Sequence, residues 1–92
     1  SFIGLEVVLP AALALAKPGG IAVALIKPQF EVGPERVGKG GVVRDAALHA
    51  EVCDRIRAWF GRQPGWWVIG LTESPIRGPE GNKEFLIAAR RA

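Results

Sequence analysis

The order of hydrophobic patterns along this chain predicts an α/β fold, a parallel sheet with helices on its faces and an antiparallel hairpin at its end. Three observations carry the prediction. Ile21-Ala22-Val23-Ala24-Leu25-Ile26 is an unbroken apolar run of strand length, the mark of a strand buried on both faces. Leu48, Val52, Ile56, Trp59 and Phe60 recur at helical spacing behind it. Two more strand-like runs, Trp66 to Leu71 and Glu84 to Ala89, then follow without a helix between them, which implies an antiparallel pair.

Each element has its own local reason. Ser1 to Leu5 reads as the tail of a short strand, so the chain begins as though cut from inside a sheet. From Glu6 to Ala16 the alanine and leucine content favours a helix, with Glu6 complementing the amino-terminal dipole and Pro10 early enough to be tolerated. That helix is apolar nearly all round, which predicts cover on more than one side. Lys17-Pro18-Gly19-Gly20 stops it. Pro28 prevents the next strand from continuing as a central ladder strand and so fixes Lys27 at its end. Glu31 to Arg44 is a glycine-rich loop, long enough to be functional or mobile. Asp45 is a good N-cap for the helix that runs to about Gly61, whose outer face carries Glu51, Asp54, Arg55, Arg57 and Arg62. Gln63-Pro64-Gly65 ends it, and Thr72 to Lys83 joins the last two strands.

Composition excludes several classes. Ninety-two residues form one domain at most, and a hydrophobic fraction of 49% is high for so short a chain, so much apolar surface needs covering. Lys17-Pro18-Gly19-Gly20 interrupts the longest apolar stretch before it reaches the ~20 residues of a membrane span. Val7 to Ala16 lacks the basic lead-in of a signal peptide. A single cysteine, Cys53, forms no internal disulfide, which suits the cytoplasm. The net charge of +3 permits a nucleic-acid partner without requiring one.

Lys27 carries the sharpest chemical signal. Ligand crevices in α/β sheets lie at the carboxyl ends of the strands, where a partly desolvated amine can act as a base or stabilise charge. The plain alternative is a lysine that buries its stem and lifts its ammonium into water. Glu84 opens the last strand, and the start of an antiparallel strand lies at the same edge as the ends of its neighbours, so Glu84 can face Lys27. A structural ion pair would satisfy the same geometry. Gly33-Pro34-Glu35-Arg36-Val37-Gly38-Lys39-Gly40 nearly spells a phosphate-binding P-loop, but Gly40 stands where a magnesium-holding hydroxyl is needed. It reads better as a flexible basic loop. His49 and Cys53 lie four apart on one helix, yet the chain holds no other Cys or His, so no metal site is expected. Trp66 and Trp67 alternate across a strand, so at least one belongs to the core.

Ser1-Phe2-Ile3-Gly4-Leu5, Val8-Leu9-Pro10-Ala11, Leu25-Ile26-Lys27-Pro28-Gln29-Phe30-Glu31, Gly38-Lys39-Gly40-Gly41-Val42-Val43-Arg44-Asp45 and Ser74-Pro75-Ile76-Arg77-Gly78-Pro79-Glu80-Gly81-Asn82-Lys83-Glu84-Phe85 together resemble the TlyA or haemolysin-A-like proteins, a bacterial branch of the FtsJ-type ribosomal RNA methyltransferases. The resemblance implies a partial Rossmann-like class I methyltransferase fold, with residues 1–92 as the C-terminal half of the catalytic domain. It implies methylation of ribose 2′-hydroxyls of ribosomal RNA with S-adenosylmethionine, whose main binding loop lies outside this chain, as does an S4-like RNA-binding domain. The family's Lys-Asp-Lys-Glu catalytic set places its second lysine at Lys27 and its glutamate at Glu84, while the first lysine and the aspartate precede Ser1. Arg36, Lys39 and Arg44 would then touch RNA phosphates.

Two competing readings come from other classes. The haemolysin name suggests a membrane-active protein, which should show an amphipathic basic helix or a secretion signal, and neither is seen. A structural piece that forms a homodimer through its open sheet edge is the other.

Overall fold

A computed structural model describes residues 4–92 of the chain. The elements run α1 (Leu5–Ala14), β1 (Ile21–Ile26), α2 (Pro28–Glu31), α3 (Ala46–Gly61), β2 (Trp66–Glu73) and β3 (Phe85–Arg91), with 3-10 turns at Pro34–Arg36, Lys39–Gly41 and Pro79–Gly81. The fold is α/β, as the patterning predicts.

The sheet differs from expectation. Its strand order is β1-β3-β2, and β3 runs antiparallel to both neighbours. The described residues therefore form a three-stranded antiparallel sheet in place of the expected parallel one. β1 and β2 do point the same way, as strands joined by a helical crossover do, but the last strand slots between them and takes up the hydrogen bonds of each. The expected antiparallel β2–β3 pair is present, with an irregularity in register between Val68 and Gly70.

Nor is β1 buried on both faces. Ala24 and Ile26 point into the core, while Ile21 and Val23 on the other face are 54% and 67% exposed. The unbroken apolar run is thus an edge strand with one face covered by helices and the other bare, among the described residues. Ser1 to Ile3 of the expected first strand lie outside those residues, and Leu5 already belongs to α1. α1 continues through Pro10 and buries only Leu9 and Leu13, leaving Val7, Val8 and the following Leu15 exposed, so it too is covered on a single side.

One core holds the elements together. Leu9 and Leu13 of α1, Val52, Ile56, Trp59 and Phe60 of α3, and Ala24, Ile26, Trp66, Ile87 and Ala89 of the sheet form a contiguous apolar cluster. Trp59 meets Phe60 edge to face at 5.2 Å between ring centroids. Trp66 is buried and Trp67 exposed, the split that strand alternation requires. α3 begins where expected, with Asp45 accepting a hydrogen bond from the Ala47 amide at 2.8 Å. Cys53 sits in this core, and burial, with the Asp54 charge behind it, pushes its thiol pKa up.

Candidate functional site

The antiparallel insertion of β3 decides what meets at the sheet edge. Phe85, the first residue of β3, pairs with Ile26, the last of β1, and with Glu73, the last of β2. Lys27 and Glu84 are the next residues outward on adjacent strands, so both stand on the edge where β1 and β2 end. Pro28 is the physical reason on the first strand, because it starts α2 and has no amide to extend the ladder. On the other strand the Glu84 carbonyl accepts from the Ser74 amide at 2.7 Å, which closes the long hairpin loop.

The two side chains share an edge but not an ion pair. Glu84 is only 4% exposed, and its Oε2 accepts a hydrogen bond from Gln29 Nε2 at 3.0 Å. Lys27 is half-buried, with its Nζ 5.3 Å from the centroid of the Phe30 ring, a cation–π distance. Gln29 is the link that sequence reasoning missed. It is 8% exposed, and its Oε1 is buried without a hydrogen-bond partner. Gly78 lies so close to Glu84 that a Cβ there would overlap the carboxylate. The Glu84 side chain is thus held by an amide on one side and by bare backbone on the other.

A second device stiffens the rim. Asn82 is 2% exposed; its Oδ1 accepts from the Val43 amide at 2.9 Å and its Nδ2 donates to the Gly41 carbonyl at 3.0 Å. His49 Nε2 lies 2.8 Å from the Val43 carbonyl, and its ring is 5.7 Å from that of Phe85. Loop 38–44 is therefore fastened to the loop that carries Glu84. His49 serves this fastening, and Cys53 packs in the core. Glu31 has a comparable structural task. Its side chain accepts the Leu5 amide at 2.9 Å, capping α1 in place of Gly4, and pairs with Arg55 at 2.7 Å. Arg55 Nε also lies 3.0 Å from Glu6, an ion pair by distance that lacks hydrogen-bond geometry.

The three expected basic residues fare differently. Arg36 forms a bidentate pair with Glu51 at 2.8 and 3.0 Å on the surface. The hydrogen bond raises the Arg36 pKa and holds the Glu51 carboxyl below its usual range. Lys39 and Arg44 are exposed, and Arg44 Nη1 donates to the Lys39 carbonyl at 3.3 Å. Arg44 also lines a cavity of about 280 Å³ with Val42, Val43, His49, Arg77, Glu80, Gly81 and Lys83. Another cavity, of about 220 Å³, is lined by Pro10, Leu13, Trp66 and Arg91 among others. Both fall below the ~300–1,000 Å³ that nucleoside-sized ligands fill, so neither is a cradle for such a cofactor by itself. Among the described residues no cluster of three or more His, Cys, Asp or Glu could hold a metal ion, and no helix is long and apolar enough to cross a membrane.

Comparison with known proteins agrees with this architecture. Residues 1–91 match the FtsJ-like methyltransferase family. The chain is 48% identical over 87 residues to YqxC of Bacillus subtilis, described as a candidate rRNA methyltransferase, covering 95% of this chain and 31% of that protein. It is 43% identical over 90 residues to the 16S/23S rRNA (cytidine-2′-O)-methyltransferase TlyA of Mycobacterium tuberculosis, covering 98% and 33%. Among solved structures it superposes on a candidate hemolysin from Streptococcus thermophilus with a TM-score of 0.88 at 43% identity, covering all of this chain and 33% of the other. The chain belongs to the FtsJ-like methyltransferase family. It spans about a third of the length of the curated relatives it matches.

Proposed function

We propose that residues 1–92 are the C-terminal half of the catalytic domain of an S-adenosylmethionine-dependent enzyme that methylates ribose 2′-hydroxyls of ribosomal RNA. The observation that carries this reading is the register Ile26↔Phe85, which sets Lys27 and Glu84 side by side at the sheet edge. The names of TlyA and YqxC supply the substrate class. A sheet that continues beyond β1 into the parallel part of a class I methyltransferase would explain why that strand is an edge here, and helices on the second face of such a sheet would cover Ile21 and Val23.

S-adenosylmethionine, when bound, supplies an electrophilic methyl group; the residues of this chain would act on the acceptor. A ribose hydroxyl is a weak nucleophile and must be positioned and relieved of its proton. Lys27, at the strand end, orients the hydroxyl and assists the removal of its proton. Glu84, fixed by Gln29, holds the lysine or the ribose. Lys39 and Arg44 contact RNA phosphates, and Arg36, tied to Glu51, adds its charge at the rim. A ribosomal substrate would place the enzyme in the cytoplasm. The isolated segment, with its open β1 edge, pairs with a second copy.

The deciding experiment uses the full-length enzyme, ribosomal RNA and labelled S-adenosylmethionine, with ribose methylation read by mass spectrometry. Lys27→Ala is expected to lower turnover by at least about a hundredfold, the scale of a lost general base, with the melting temperature little changed. Normal turnover in that variant would falsify the assignment. The membrane-active reading predicts instead that the pure protein releases dye from liposomes, which this chemistry does not.

A further inference from the structure

The cavity between loops 38–44 and 77–83 enters the reading above only through Arg44, and its lining is unusual. Arg44, Arg77 and Lys83 bring three cations to it against the single carboxylate of Glu80. We infer that this cavity is a phosphodiester site, seating the RNA backbone phosphate next to the ribose presented to Lys27 and Glu84. The inference rests on that reading and adds Arg77 and Lys83, with Arg44, as the residues that set the RNA strand in register.

Four features support it. Lys83 directly precedes Glu84, so a phosphate held there lies one residue along the chain from the catalytic edge. The Asn82 clamp onto Val43 and Gly41 joins the two loops, so both arginines and the lysine sit on one stiff frame. Among the described residues each guanidinium is aimed by a backbone carbonyl through Nη1, Arg77 to Gly81 at 3.2 Å and Arg44 to Lys39 at 3.3 Å. Since a guanidinium has five donors in a planar fork, each keeps donors for a phosphate oxygen. Finally, about 280 Å³ is too little for a nucleoside cofactor but enough for a phosphate and part of its sugar. Arg36 offers the contrast, because its fork is already filled by Glu51.

The full-length protein tests this through RNA binding measured apart from methyl transfer. The double variant Arg44→Gln, Arg77→Gln should weaken binding of a ribosomal RNA fragment by tenfold or more. It should also flatten the slope of log affinity against log salt by about 0.7–0.9 per lost phosphate contact. Arg57→Gln, on the outer face of α3, should leave both unchanged. Inorganic phosphate in the millimolar range should compete poorly with the RNA fragment. Unchanged affinity and slope in the double variant, or an equal loss in Arg57→Gln, overturns the inference; displacement of RNA by phosphate alone at low millimolar concentration reassigns the cavity to free anions and overturns it too. Intact RNA binding with full activity in Lys27→Ala would sink only the catalytic reading.

Discussion

At the scale of single residues, the site depends on a carboxylate that the fold keeps from water. Glu84 accepts from the Gln29 amide, and Gly78 presses against its other flank. Gln29→Leu would leave a buried carboxylate unpaired, an arrangement that costs about 1–3 kcal/mol or more for a charged group. Urea denaturation should show the midpoint fall by the corresponding amount, whereas an unchanged midpoint would mean that water already serves Glu84. Lys27 and Glu84 were legible in the sequence because a proline ends one strand and a glycine-rich loop opens the other. Gln29, Asn82 and Glu31 were not. Each is a polar residue with a partner at least 26 positions away, and no local pattern signals such a bond before the chain has folded.

At the scale of elements, α1 and α3 were legible, the short α2 was not, and the strands were legible only in part. Helical spacing and the Asp45 cap placed α3 correctly, since both signals are local. Strand neighbours are a different matter. An apolar run records how much it is buried, not beside which strand it lies, and β1 was misread as two-faced because its bare face is as apolar as its covered one. The surface pair that ties the first 3-10 turn to α3 gives a test at this scale. Arg36 holds the Glu51 carboxyl below its ordinary pKa, so its contribution is present above the unfolded value and is lost as pH falls through the folded one. Glu51→Gln should therefore melt slightly earlier than the parent at about pH 7, and the gap should close in acid as the parent's carboxyl protonates. Melting curves across that range decide it; a gap that persists in acid would show that the effect comes from packing instead of charge. The pair is exposed, so added salt should narrow the gap as well.

At the scale of the whole molecule, the dominant fact is a sheet that, among the described residues, is clothed on one face only. Val7, Val8, Leu15, Ile21, Val23, Trp67 and Ile69 are all exposed. Much of the high apolar fraction that sequence composition announced is thus accounted for by surface, not by an unusually dense interior. Sedimentation of the isolated 92-residue chain should find association that grows with concentration. Val23→Lys, which puts a charge on the edge strand, should shift it towards monomer. A chain that stays monomeric at all concentrations would remove the case for edge pairing.

The placement of β3 also dictates a timetable. Because the strand that bridges β1 and β2 is translated after both, the earlier two have no partner in this sheet while residues 85–91 are still inside the ribosome. Within this segment β1 and β2 cannot be bridged until then, and Lys27 is made before Glu84 can stand beside it. Closure of this three-stranded sheet and the meeting of Lys27 with Glu84 then become one event, so a ribosome stalled short of Phe85 carries a segment in which the two residues do not yet share an edge.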